Sequence, residues 1–140
     1  MPLVPRRGIL AIAAVIDIAL HASTRPSSAK SLAMRYQLAP RHLEPLLQTL
    51  VHRGLLKGIR GPRGGYELGR DAKDITVANI LDAALSQSAA EHPQFAESPL
   101  VSRIVVPAVE EAEQTMAQAF DHITIGALMQ RAIDAGVHPG

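Results

Sequence analysis

Hydrophobic positions change their period along the chain, and each change marks an element. From about Gly8 to Ala22 most residues are apolar, and Ile9, Ile12, Ile16 and Leu20 recur three or four apart. That spacing predicts a first helix buried along this face. Pro26 breaks the run, and Ser27 or Ser28 offers the next N-cap. AKSLAMRYQL then predicts a short second helix with Leu32, Ala33 and Tyr36 inward. Leu43, Leu46, Leu47 and Leu50 keep the i, i+3, i+4, i+7 spacing of a third helix. Ala39 is its expected cap, Pro40 its first helical residue, and Gly54 its end.

After Gly54 the pattern shortens. LLKGIR and GGYEL are strand-like runs joined by GPRG, which predicts a hairpin. Thr76 is the expected N-cap of a fourth helix with Val77, Ile80, Leu81 and Ala84 inward. The polar run SQSAAEHPQFAES predicts a loop. A long helix over about 99–120 follows, capped by Ser98 with Pro99 in its first turn. Pro107 lies inside it and is expected to kink it or interrupt its hydrogen bonding. Thr124 opens a last short helix, and DAGVHPG is expected to be a loose tail. Helix, turn, helix and hairpin outline a winged helix-turn-helix: a mainly α fold with a small two-stranded β-wing.

Composition narrows the picture. The chain has 140 residues, 47% of them hydrophobic and 3% aromatic, so one core built from Leu, Ile, Val and Ala is expected. It has no cysteine, which removes disulfides, thiolate metal sites and any cysteine nucleophile. The net charge of +1 hides an asymmetry. Residues 1–73 carry 12 Lys or Arg against 4 Asp or Glu, whereas residues 74–140 carry 2 against 9. A basic half on a near-neutral chain is the footprint of an anionic partner on one side. RRGILAIAAVIDIALHAS has the look of a secretory signal, with arginines before an apolar run. The run falls short of the ~20 apolar residues of a membrane span, and Asp17 interrupts it. The buried-helix reading is preferred, because the next motif needs a helix to pack against, and a cytoplasmic protein is expected. Cleavage near Ala22 would instead remove the first helix.

In a winged helix-turn-helix the helix after the turn enters the major groove. With the leucine stripe inward, Arg41, Pro45, Gln48, Thr49 and His52 point outward, and Arg41, His42 and Glu44 occupy the first turn. Arginine reads guanine, and a carboxylate accepts from the cytosine amino group. Glu44 near phosphates is costly without such a task; the competing reading is that it favours the positive helix N-terminus. In the wing, glycines permit a tight turn and a close backbone approach. Arg60 and Arg63 are expected to project toward a narrow minor groove, with Lys57 and Arg70 on phosphates to either side. Ser28 and Lys30, opening the second helix, complete the expected DNA-binding set. GPRGG is neither a dinucleotide nor a Walker loop, since no helix follows it and no Lys-Ser/Thr closes it. No nucleophile–base pair, carboxylate pair or metal-ligand spacing points to an enzyme.

HLE at 42–44, RGPRGGYEL at 60–68 and ITVANI at 75–80 resemble the Rrf-two family of bacterial winged-helix repressors. Its members include an iron–sulfur cluster regulator, a nitric-oxide-sensing repressor and a cysteine-metabolism repressor. The likeness is good over residues 9–85 and extends to the rest only in layout. It implies a transcriptional repressor that binds double-stranded DNA as a homodimer on a partly palindromic operator. It implies DNA reading at Arg41, His42, Glu44 and Arg60, and a dimerisation helix at about 99–120. The expected division is a winged domain over 1–85, a loop over 86–98, and the dimerisation helix with the terminal helix over 99–140. Leu100, Ile104, Val105, Val109, Met116 and Phe120 are the expected dimerisation residues, because one winged domain cannot cover them all. The departure from the family is large. Many relatives hold an iron–sulfur cluster on three cysteines in the loop, where this chain offers only Glu91, His92 and Glu97. A lone histidine beside acids is the usual composition of a solvated loop, so neither metal nor cofactor is expected. A partner protein or a small-molecule effector is the alternative source of control.

Overall fold

In the computed structural model of the chain, which describes residues 3–22, 25–86 and 98–137, six helices surround one hairpin. The order is α1 (Arg6–Leu20), α2 (Ala29–Arg35), α3 (Pro40–His52), β1 (Leu56–Ile59), β2 (Gly65–Leu68), α4 (Val77–Leu85), α5 (Val106–Asp121) and α6 (Ile125–Asp134). The strands pair antiparallel with Leu56 opposite Leu68 and Ile59 opposite Gly65.

Local chemistry sets the helix ends. The Ser28 hydroxyl accepts from the Ser31 amide at 3.0 Å, which opens α2. Thr76 and Asn79 form a reciprocal capping box at α4, and Thr124 accepts from the Ala127 amide at α6. No side chain caps α3; Pro40 in its first turn leaves one fewer amide to satisfy. Gly54, at φ 76°, ends α3, and the Leu55 amide turns back to the Leu50 carbonyl at 3.0 Å.

The leucine stripe of α3 is fully inside, as its spacing predicts, together with Leu32, Ala33, Val77, Ile80, Leu81 and Ala84. The buried face of α1 is not the expected isoleucine stripe. Ala11, Ala14, Val15, Ile18 and Ala19 are buried, whereas Ile9 is 56% exposed and Ile12, Ile16 and Leu20 are half-buried. The helix is apolar almost all round, so periodicity did not select a face. Packing against α4, α6 and β2 selects the alanine side, where small side chains allow close approach.

In the C-terminal third the interruption expected from Pro107 is present, and two other features differ from expectation. The helix expected over 99–120 is interrupted by a π-turn at Val101–Val105, where the Val106 amide donates to the Val101 carbonyl. Pro107 accounts for it: proline has no N–H, and its ring crowds the carbonyl four residues back. The segment 99–140 also divides in its packing. Ile125 is fully buried in the winged core, and two backbone hydrogen bonds of 2.8 Å, Val77 to Ile123 and Ile125 to Ile75, tie α6 to the start of α4. The helix α5 and the turn before it have no fully buried residue and reach the rest of the described chain mainly through α4. The tail is not loose throughout, because Gly136 at φ 69° lets the Val137 amide close α6 on the Ala132 carbonyl at 2.9 Å.

Candidate DNA-binding surface

The outer face of α3 carries Arg41, His42, Glu44 and Gln48, all exposed. Pro45 sits inside the helix without ending it. Its missing N–H falls on the exposed side, where water can satisfy the carbonyl left free. The Thr49 hydroxyl donates to the Pro45 carbonyl at 3.0 Å, so Thr49 is occupied locally.

Besides the packing of its strands on α1 and α3, the wing is hydrogen-bonded to the helix-turn-helix through a residue that sequence reasoning missed, Tyr66. Its amide donates to the Ser27 carbonyl at 2.8 Å, and the Ser27 amide donates back at 3.1 Å. Its hydroxyl accepts from Gln48 Nε2 at 3.1 Å. The start of α2, the outer face of α3 and β2 therefore meet at this tyrosine. The neighbouring Gly65 makes the approach possible, because a Cβ there would stand 2.6 Å from the Ser27 carbonyl. The glycine pair before the tyrosine was the available signal. A Gly65→Ala variant should push β2 off Ser27, cost about 1–3 kcal/mol of stability and weaken DNA binding. Urea denaturation and fluorescence anisotropy check this; unchanged values would show that the wing tolerates detachment.

The strands stop at Ile59 and Gly65, so the wing tip is five residues, Arg60 to Gly64, rather than four. Gly61 turns it at φ 112°, and the Gly64 amide returns to the Gly61 carbonyl at 2.9 Å. Arg60 and Arg63 are exposed on this tip, with Lys57 and Arg70 along the hairpin and Lys30 in the first turn of α2. None of these cations, nor Arg41, makes an ion pair among the described residues. Arg53, by contrast, is paired with Asp82 at 2.8 Å on the surface. Glu67 stands directly across the hairpin from Lys57 and tempers the charge there. Ser28 is half-buried and already serves as a cap, which leaves only its hydroxyl proton for another acceptor.

Behind this surface lies a buried ion pair. Asp17, which the sequence presents only as a break in an apolar run, is 2% exposed. Arg35 donates to it from Nε at 2.9 Å and from Nη2 at 2.7 Å. The Tyr36 hydroxyl lies 3.0 Å from the same carboxylate and 3.1 Å from the Ala13 carbonyl. Burial raises the Tyr36 pKa well above its ordinary value, and the Asp17 charge adds to the effect. The pair joins the end of α2 to the last turn of α1.

The residues do not fit the iron–sulfur chemistry of the family. Clusters are held by thiolates, and the chain has none. Among the described residues no group of three or more His, Asp or Glu could hold a metal ion. Glu91, His92 and Glu97 lie outside the described residues. No described helix is long and apolar enough to cross a membrane.

Of the expected dimerisation residues, Leu100, Ile104, Val105 and Val109 are exposed, at 65%, 63%, 45% and 51%. Met116 and Phe120 are half-buried and line a cavity with Leu81 and Leu85 of α4.

Comparison with known proteins follows the same geometry. The chain matches the Rrf2 family model, described as an iron-dependent transcriptional regulator, over residues 4–131. It is 31% identical over 122 residues to the protein rrf2 of Nitratidesulfovibrio vulgaris, covering 84% of this chain and 81% of that one. It is 38% identical over 77 residues to the HTH-type transcriptional regulator IscR of Photorhabdus laumondii, covering 55% of this chain and 47% of that protein. The match thus spans about half the length of this curated relative. The structure of T. potens IscR superposes with a TM-score of 0.74 at 29% identity, covering 99% of this chain and 94% of that one.

Proposed function

Because the chain belongs to the Rrf2 family of transcriptional regulators, we propose that it is a sequence-specific DNA-binding repressor. It acts as a homodimer on a partly palindromic operator. The observation that carries this reading is the latch at Tyr66, which unites the α3 outer face and a wing whose cations lack protein partners among the described residues. Arg41, His42, Glu44 and Gln48 face base edges from α3, and Arg60 and Arg63 enter the minor groove. Lys30, Lys57 and Arg70 hold phosphates, with Ser28 beside them. Two copies paired through α5 place two such surfaces on one DNA face, so half-sites lie one helical turn or a multiple apart. Control comes from a partner protein or a small molecule; the absence of thiolate ligands favours this over a cluster.

The test separates the ways in which DNA is held. The operator is first retrieved from fragments of the protein's own genome. Fluorescence anisotropy then follows operator, single-base variants and random DNA at several salt concentrations. Lys57→Ala should weaken all DNA about equally and lower the salt slope by about 0.9 for each phosphate no longer neutralised. Glu44→Ala should leave that slope unchanged and relax preference at one base position per half-site by roughly 1–3 kcal/mol. Arg60→Ala should weaken binding most on operators with a narrow, A/T-rich flank. An equal loss on every DNA for all three variants would reduce the surface to an electrostatic one and refute the assignment of specificity.

A further inference from the structure

On the side formed by α1, α6 and the end of α2, a cavity of about 360 Å³ opens, within the usual size of small-molecule sites. Its apolar lining includes Ile16 and Leu20 from α1 and Leu128 and Ala132 from α6. Its polar lining comes from Asp17, Arg35 and Tyr36. These three differ in what they still offer. Asp17 is held by Arg35 and Tyr36 with His21 Nδ1 at 3.2 Å, and the one hydroxyl proton of Tyr36 serves Asp17 or the Ala13 carbonyl. Arg35 gives two of its five N–H donors to Asp17. The others have no acceptor among the described residues, and the side chain is 20% exposed.

We propose that this cavity binds a small monocarboxylate with a compact apolar body. The carboxylate takes the open donors of Arg35, which then bridges two carboxylates, and the body packs on Ile16, Leu20 and Leu128. A carboxylate suits a guanidinium because it accepts two parallel N–H bonds. A neutral amide accepts fewer and carries no charge. The site also sits where it can act on DNA binding. Arg35 ends α2, Ser28 and Lys30 begin it, and Ser27 just before it is bonded to Tyr66 of the wing. A ligand that shifts α2 against α1 therefore shifts the surface assigned to DNA. This consequence rests on the DNA-binding reading; the binding itself does not.

Phenylacetate and hexanoate are the probes, with phenylacetamide and hexanamide as neutral controls. Methyl resonances of Ile16, Leu20 and Leu128 are followed by NMR in the full chain, and operator affinity by anisotropy. At least one carboxylate should shift these methyls and bind at least about tenfold more tightly than its amide. Ala132→Phe, which fills the cavity from α6 and leaves both members of the ion pair in place, should abolish the shifts. Arg35→Lys, which keeps a cation for Asp17 but removes the fork, should weaken binding by a similar factor. Saturating carboxylate should change operator affinity by about 5-fold or more. Absent shifts, equal binding of amide and acid, or shifts that survive Ala132→Phe would overturn the site. Carboxylate binding with unchanged operator affinity would overturn its link to the wing. A protein that takes the carboxylate but no DNA would refute the DNA-binding reading and leave the cavity assignment standing.

Discussion

An Arg35→Ala variant should lose about 3–5 kcal/mol of folding stability when followed by urea denaturation. The loss exceeds that of any surface charge because of what is left behind. Asp17 is 2% exposed, and removing the guanidinium strands its carboxylate with only Tyr36 and His21 nearby. The contrast within the molecule is Arg53, whose bond to Asp82 is equally short at 2.8 Å. Its partner is exposed, so Arg53→Ala costs about 0–1 kcal/mol. The double replacement Asp17→Leu with Arg35→Met should recover most of the loss, since matched apolar groups often replace a buried pair without penalty. A loss below about 1 kcal/mol for Arg35→Ala would mean that water reaches Asp17 readily. The pair would then be no anchor between α1 and α2.

If α5 pairs two copies as proposed, an Ile104→Glu variant should be monomeric by light scattering, and its operator affinity should fall by roughly 10²–10⁴-fold. Ile104 is 63% exposed in the isolated chain, so the substitution leaves the fold and its circular dichroism unchanged. The cost arises between chains. Leu100, Ile104, Val105 and Val109 lie exposed on and just before α5, which meets α4 only through half-buried residues such as Met116 and Phe120. A carboxylate placed among them must desolvate against apolar side chains when two copies meet. Each monomer then binds one half-site alone, and the high effective concentration that links the second is gone. A wild-type protein that is monomeric at micromolar concentration, or an Ile104→Glu protein that remains a dimer, would refute pairing through this face.

The two variants probe residues of very different legibility. The exposure of Ile104 could be expected from the chain, because a long helix with repeated large apolar positions exceeds what one small domain can cover. Arg35 and Asp17 were not. They are 18 positions apart, and nothing local distinguishes a charge that interrupts an apolar helix from one that anchors it. Tyr66 was half visible, since GGY signals a close backbone approach without naming what is approached.

By itself the sequence determined the order and type of the elements, the inward stripes of α3 and α4, the helix caps at Thr76 and Thr124, a cap at Ser27 or Ser28, and the cationic wing. These are local properties: a 3.6-residue period, a hydroxyl one position before a helix, a glycine where a turn demands it. Only the tertiary structure decided which face of α1 is buried, since that helix is apolar on nearly every side and α4, α6 and β2 made the choice. It alone placed α6 in the winged core through Ile125, turned Met116 and Phe120 toward α4, and brought Ser27, Gln48 and Tyr66 together. Each of these depends on packing between residues distant in the chain, and no local pattern encodes which distant residue will be the neighbour.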